Sequence, residues 1–390
     1  MIDQRFLDWP FFETAHRELH ACLEAFVAND LGFFPDTLSE TPDEVEKLVR
    51  RTVAELGRRG LLIHALAWET GTAPDVRSVC ITREVLARFH GLADFAYAMQ
   101  GLGSGPISLF GNPEQRRRYL NGVAAGELIA AFALSEAEAG SDVAAIQTRA
   151  VLKGGEWHLS GEKAWISNAG IADFYIIFAR SDDNVGSKGI SAFIVDAQTP
   201  GLTVTERPQI VAPHPIGTIR LNDCRVPQDC LIGDRGKGFA IAMATLDVFR
   251  TSVGAAALGF ARCALNAAAM HARQRSMFGG QLADLQIVRG KLADMELDVE
   301  AAALLTYRSA WVKDKLGGRV SREASMAKLF STEAAQRVVD ECVQLHGGRG
   351  VVKGSTPERL YRDVRALRIY EGANEIHKMI IANQLLQIRA

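Results

Sequence analysis

The chain has 390 residues, which at roughly 100–200 residues per domain allows two to four domains. Its 48% hydrophobic and 23% charged residues are those of an ordinary globular protein and exclude an intrinsically disordered one. With 44 Lys and Arg against 46 Asp and Glu, the formal net charge of −2 excludes the basic footprint that nucleic acid or an anionic membrane surface requires.

The opening Met1-Ile2-Asp3-Gln4-Arg5 has neither a basic n-region nor an apolar h-region, so no secretory signal is expected. Over residues 1–126 apolar side chains recur at three- and four-residue spacing, as in Val45-Leu48-Val49-Val53-Leu56, which predicts a helical domain. Asn112-Pro113-Glu114-Gln115 reads as a helix start, with Asn as the cap, Pro in the first turn and Gln three residues after the cap. Gly101-Leu102-Gly103-Ser104-Gly105-Pro106 is glycine-rich, yet it follows a helical stretch and lacks the third glycine of a dinucleotide fingerprint; a turn is expected there.

Over residues 127–234 the period changes to two, in Tyr175 to Phe178, Ile190 to Val195 and Thr218 to Leu221, with Gly154-Gly155 placed as a hairpin turn; a β-barrel or sheet is expected. Over residues 235–390 the helical period returns in the long segments Phe239 to Gln274, Leu282 to Lys315 and Arg322 to Leu345. Helices of that length suit an antiparallel four-helix bundle with an intersubunit surface. The order helical, β, helical is α+β rather than alternating βαβ. No apolar run approaches the roughly 18 residues of a membrane span, the Ala-rich stretch after Ser252 being broken by Arg262, so a cytoplasmic protein is expected. The six cysteines are scattered without a C-x-x-C pair, and the nine histidines form no H-E-x-x-H; neither disulfides nor a metal site is expected.

Four stretches carry more chemistry than packing needs. Ala133 to Asp142 is small and hydroxyl-bearing, with Leu134, Ser135, Gly140 and Ser141, suited to close backbone approach. Gly161 to Ala169 holds Trp165, Ile166 and Ser167. Arg273 to Gly279 holds Arg275 and Phe278, with Gln286 following, and Arg275 offers a bidentate cation for a diphosphate. Gln344 to Gly350 holds Gly347 and Gly348 and leads to Tyr370-Glu371-Gly372-Ala373-Asn374-Glu375. Taken singly, these read as a Ser/Gly turn, a core tryptophan, a solvated helix end, and a helix start with Glu371 on the macrodipole and Asn374 as a plausible cap.

Together, and in this order, they resemble the acyl-CoA dehydrogenase family of FAD enzymes along nearly the whole chain. The resemblance implies a homotetramer, FAD held without a Rossmann fold, and α,β-dehydrogenation of an acyl-CoA with an electron-transfer flavoprotein as acceptor. It implies that Trp165 lies against the flavin and Ser167 near its N5, and that Phe132, Leu134, Ser135, Gly140, Ser141 and Ile166 line the same ring. It further implies that Arg275, Phe278, Gln286, Gln344, Gly347, Gly348, Ala373 and Glu375 hold the remainder of FAD, Arg275 across a subunit boundary. Glu371 resembles the base that removes the Cα proton. Ser141, Asp247, Phe249, Arg250, Tyr370 and Gly372 match positions that contact the substrate.

The chain also departs from the family. Phe249 stands where part of the family has an acid, which leaves Glu371 without a visible competitor and adds bulk near the reacting carbons. Ala137 and Ala373 replace the usual Pro and Thr, and Trp68 to Pro74 replaces a Pro-Glu-x-x-Gly-Gly segment. With Tyr97 and Gln100 offering polarity, a short, branched, cyclic or modified acyl group is expected. An oxidase, a β-eliminating lyase and a non-enzymatic nucleic-acid-binding relative are the competing readings, the last opposed by the charge and the intact Glu371.

Overall fold

The computed structural model describes residues 5–35, 41–67, 74–182 and 186–387. Residues 68–73 of the substituted Trp68 to Pro74 segment, and the first four of the chain, lie outside them.

The elements follow the expected order. Helices α1 (Thr14–Asp30), α2 (Pro42–Arg58), α3 (Val76–Phe89), α4 (Gly91–Phe110) and α5 (Pro113–Ala124) come first. Strands β1 (Ala130–Ala133), β2 (Arg149–Lys153), β3 (Glu156–Ser167), β4 (Phe174–Arg180), β5 (Ile190–Asp196), β6 (Leu202–Glu206), β7 (Ile216–Pro227) and β8 (Leu231–Ile232) follow. Then come α6 (Gly238–Gln274), the short strands β9 (Ser276–Met277) and β10 (Gly280–Gln281), and helices α7 (Gln286–Leu316), α8 (Ser321–His346), α9 (Thr356–Arg365) and α10 (Asn374–Leu385). By internal contacts the chain divides into two units. One gathers α1, α3, the chain to Asp94 and everything from Arg250 onward; the other gathers α2, the chain from Phe95, and the sheet through to Phe249.

In the sheet unit, the strand order is β6-β7-β3-β2-β4-β5-β8 with β1 parallel on β4. Among the described residues this is a sheet with β6 and β8 at its ends. Gly154 and Gly155 close the β2–β3 hairpin with φ of 59° and 87°, the two positive values a type I′ turn demands. Alternating burial appears in β3 and β7, interrupted where their register shifts. The runs Tyr175 to Phe178 and Ile190 to Val195 are buried at every position, because β4 and β5 are covered on both faces and have no polar side to show.

Gly101 to Pro106 is not a turn. It lies inside α4, Pro106 included, because its glycines serve close packing. A Cβ at Gly101 would lie 2.5 Å from Phe249 Cε1, one at Gly103 2.7 Å from Ala130 Cβ, and one at Gly105 2.6 Å from Thr245 Cγ2. The Phe249 ring, 2% exposed, therefore occupies a groove that these glycines leave open. Gln100 supplies no spare polarity either: its amide donates to Leu128 O at 2.6 Å and accepts from Ala130 N at 3.1 Å. The Asn112 start is as expected, a reciprocal capping box with Gln115.

In the helical unit, α7 and α8 run antiparallel across a four-residue link and pack along their lengths. Helix α6 corrects one expectation: by length and composition it could cross a membrane, but two thirds of its apolar window is buried inside the fold. It is a core helix, and small residues bring its neighbours close; a Cβ at Gly254 would already lie 3.0 Å from Thr306 Oγ1.

Candidate active site

Strand β1 ends where the first stretch begins, and β3 carries the second against it. Lys163, fully buried, donates to Leu134 O at 3.0 Å and to Glu136 Oε1 at 2.8 Å. The Glu136 carboxylate also accepts from Gln147 N, Thr148 N and Thr148 Oγ1, and Ala164 N donates to Ser135 O at 3.0 Å. Burial lowers the Lys163 pKa to about 8 despite the carboxylate, so the ammonium is still mostly charged at neutral pH. Past this clamp the β3–β7 register shifts between Lys163 and Ile166. A bulge re-aims a side chain, and here it turns Trp165 outward, 61% exposed at φ 61°.

A non-glycine residue in the left-handed region costs about 1–3 kcal/mol and persists where its surroundings over-determine it. Ser135 and Ser167 are partly exposed, and Gly140 and Ser141 are exposed. An exposed aromatic face on the strand that pairs with the Ser135 backbone fits a planar heteroaromatic ring such as flavin. Leu134 and Ile166 are buried and have only backbone to offer, while Phe132 packs on Phe178 with ring centroids 4.9 Å apart.

The third and fourth stretches meet at one end of the helical unit. Helix α6 stops at Gln274, and β9 and β10 form a hairpin whose turn is Phe278-Gly279, with φ of 52° and 78°. Phe278 at its tip is 86% exposed, and Arg275 at its base is exposed. The His271 and His346 rings stack at 4.3 Å, and Met277, Leu285 and Leu345 share one apolar cluster. These contacts bring Arg275, Phe278 and Gln286 to the end of α8, where Gln344, Gly347 and Gly348 are exposed and Gly347, at φ 58°, closes the helix. A guanidinium, an open glycine backbone and an exposed aromatic side chain fit a diphosphate and an adenosine.

Glu371, like Trp165 and Phe278, is left-handed, at φ 51°, and is followed by Gly372 at φ 97°. Its Oε2 is buried without a hydrogen-bond partner. Burial raises its pKa, opposed by Arg83, Arg250 and Lys328 and assisted by Asp94. Arg83 is 2% exposed and grips Asp94 with two bonds of 2.8 Å, while a third reaches Ser252 Oγ at 3.1 Å. Arg250, expected against the substrate's CoA portion, is 7% exposed with its charge bearing on Glu371, Lys328 and His377. The Tyr370 hydroxyl is pushed above its usual pKa by burial, Arg83 opposing. A desolvated carboxylate whose pKa is lifted, held among three cations that favour its charged form, is equipped to accept a proton.

Asn374 is no cap. It is the first residue of α10, its side chain buried and spent on Lys328, Thr332 and Glu333; Ala373 holds the cap position with no side-chain bond, and Glu375 is exposed. Asp247, by contrast, is buried on α6 with Phe249 in the sheet unit. Sequence reasoning missed Arg83, Asp94, Lys163, Lys328 and His377. The available signal was a lone Lys in the apolar run Ala324-Ser325-Met326-Ala327-Lys328-Leu329-Phe330.

His377 yields a pH prediction. It is fully buried, and desolvation with Arg250 and Lys328 nearby lowers its pKa to about 3. The unfolded chain therefore binds a proton below about pH 6.5 that the folded chain refuses, and stability falls as pH drops from there towards 3. The loss is about 2 kcal/mol between pH 7.5 and 5. The urea midpoint should drop over that interval, and drop less in His377→Gln.

Comparison with known proteins gives the family. Residues 13–127, 131–224 and 236–386 match the acyl-CoA dehydrogenase N-terminal, middle and C-terminal domains. The short-chain specific acyl-CoA dehydrogenase of human mitochondria is 41% identical over 381 residues, covering 96% of this chain and 90% of that one. Butyryl-CoA dehydrogenase from Megasphaera elsdenii superposes with a TM-score of 0.87 at 32% identity, covering 96% of this chain and 99% of that one. A chain from a structure described as an electron transferring flavoprotein of Acidaminococcus fermentans gives the same values. A Mycobacterium smegmatis glutaryl-CoA dehydrogenase in complex with FADH2 gives 0.85 at 26% identity, covering 97% and 96%. This chain belongs to the acyl-CoA dehydrogenase family, whose members depend on FAD.

Proposed function

We propose that the chain removes one proton from Cα and one hydride from Cβ of a short acyl-CoA, giving the trans-2-enoyl-CoA, with Glu371 as the base. The observation that carries this is the Glu371 carboxylate itself, buried with an unpartnered Oε2 on a left-handed backbone. FAD, when bound, supplies the hydride acceptor. Glu371 takes the proton, and Arg83, Arg250 and Lys328 favour the carboxylate form that can do so. Tyr370 and Gly372 flank it along the chain. Trp165 would lie against the flavin and exclude water, with Ser135, Ser141 and Ser167 as its polar neighbours. The names of the human and Megasphaera relatives support a short acyl group. The structure described as an electron transferring flavoprotein supports such a protein as electron acceptor. Exposed Phe278, Ile287, Leu297 and Leu304 support a homotetramer, and a cytoplasmic location belongs to the same reading.

The test is anaerobic. Purified protein should release FAD rather than FMN on denaturation, and a panel of acyl-CoA thioesters should bleach the bound flavin, short chains fastest. Turnover should need an added electron acceptor and consume little O₂. Bleaching by no thioester, or efficient O₂ consumption, would overturn the reading.

Arg275→Ala should weaken FAD retention by roughly 10- to 100-fold, the equivalent of a charge-assisted bond of about 1.5–3 kcal/mol. The oligomer should loosen with it. Flavin affinity and size-exclusion mass are the measurements, and an unchanged pair would return Arg275 to the solvated surface on which it is seen.

A further inference from the structure

Helix α8 presents one face to the segment that carries Glu371. Ser325, Lys328, Thr332 and Glu333 stand at i, i+3, i+7 and i+8, a single stripe on a helix. Each reaches residues 372–377. Ser325 Oγ pairs with His377 Nδ1 at 3.2 Å. Lys328 Nζ donates to Gly372 O at 2.7 Å and Asn374 Oδ1 at 2.9 Å. Asn374 Nδ2 donates to Thr332 Oγ1 at 3.1 Å and Glu333 Oε1 at 2.8 Å.

We propose that Lys328 is a positioning residue for Glu371: its ammonium holds the Gly372 carbonyl and the Asn374 side chain, which fixes the left-handed turn, and its charge favours the Glu371 carboxylate. The inference rests on the reading of Glu371 as the base and assigns Lys328 no contact with substrate.

The energetics single out this lysine. It is 0% exposed, and burying an ammonium is costly unless it is paired and hydrogen-bonded. A neutral donor would hold the Gly372 carbonyl at less cost, so the charge itself has a use, and the carboxylate at Glu371 is the strongest of the acidic influences on it. Burial brings the Lys328 pKa down to about 8, which leaves it mostly charged at neutral pH. The turn it holds is strained at Glu371, with φ 51°, and a Cβ at Gly372 would sit 3.0 Å from His377 Nε2, so the backbone has little room to relax. The other groups that bear on Glu371 are Arg83 of α3, Asp94 of α4 and Arg250 of α6. Within its own segment Tyr370, Glu375 and His377 lie close along the chain, and Glu333 stands on α8 with Lys328.

The experiment uses the FAD-loaded protein and three variants. Lys328→Met removes charge and donors, Lys328→Gln keeps a donor without charge, and Lys328→Arg restores charge. The Glu371 carboxyl is titrated by infrared difference spectroscopy with Glu371→Gln as the blank, and the pH profile of flavin reduction is recorded beside it. In the Met and Gln variants the carboxyl pKa should rise by on the order of one pH unit, with the acid limb of the rate profile moving equally, and Lys328→Arg should recover most of the shift. Should Lys328→Met fail to fold, the Gln variant decides. A reciprocal measurement leaves Lys328 untouched: coupling is mutual, so the Lys328 ammonium, followed by nitrogen NMR, should titrate at lower pH in Glu371→Gln than in the native chain. An unmoved carboxyl pKa in a folded variant, or an unmoved Lys328 titration, overturns the proposal. A carboxyl shift that the rate profile does not follow leaves Lys328 in place and removes Glu371 as the base.

Discussion

Glu371→Gln should fold, bind FAD and bind acyl-CoA, yet reduce its flavin at least about 10²–10⁴-fold more slowly than the native chain. That range is what a positioned general base supplies. The substitution is nearly isosteric and keeps an oxygen acceptor, so what it removes is the capacity to take the proton. The backbone at φ 51° is no harder for glutamine than for glutamate, so the turn should persist. The substitution also takes a negative charge from among Arg83, Arg250 and Lys328; the cluster becomes more cationic, which the Arg83–Asp94 pair only partly offsets. Some loss of stability should therefore accompany the loss of rate. Stopped-flow bleaching under anaerobic conditions measures the half-reaction without a second substrate. A variant that bleaches within a few-fold of native would show that another group takes the proton. Phe249→Glu is a poor rescue, since it would drive a charge into the groove against Gly101 and Gly105.

Elements were the most legible part of the chain. The Asn112 capping box, the Gly154-Gly155 hairpin and the long helices announce themselves by local chemistry, and local chemistry is what a sequence displays. Gly101 to Pro106 misleads for the same reason. Glycine and proline punctuate turns when nothing else acts on them, whereas here Phe249, Ala130 and Thr245 press against the helix and select glycine for its missing side chain. The four chemistry-bearing stretches were legible as types of residue in order, not as geometry. Three of the residues they single out, Trp165, Phe278 and Glu371, share a left-handed backbone that no propensity assigns to them. A glycine follows Phe278 and Glu371, the only local hint. The buried cations were invisible, because a lysine or arginine on a helix reads as solvent-facing until a partner some distance along the chain is brought to it. Arg83 finds Asp94 eleven residues on; Lys163 finds Glu136 and Lys328 finds Gly372, 27 and 44 residues away.

Asp94→Ala should be among the most damaging single changes outside the reacting residues, costing about 3–5 kcal/mol of stability. Arg83 is buried at 2% exposure and its two bonds to Asp94 are both 2.8 Å, so removing the carboxylate leaves a buried guanidinium facing the Ser252 and Tyr370 hydroxyls with its paired charge gone. Breaking a buried pair from one side costs that much because the surviving charge stays desolvated and uncompensated. Removing both ends is milder: Arg83→Met with Asp94→Ala should lose clearly less than the two single changes added together. The pair also reports on Glu371, since Asp94 raises its pKa and Arg83 lowers it. In Asp94→Asn, which keeps the shape and one acceptor, Arg83 faces Glu371 unopposed and the acid limb of flavin reduction should move to lower pH. In Arg83→Met the same limb should move to higher pH, because a cation has left and Asp94 remains. Opposite shifts from two halves of one ion pair cannot come from general loosening, which would move both the same way. Urea midpoints and the two pH profiles are the measurements, and parallel shifts would detach the pair from Glu371.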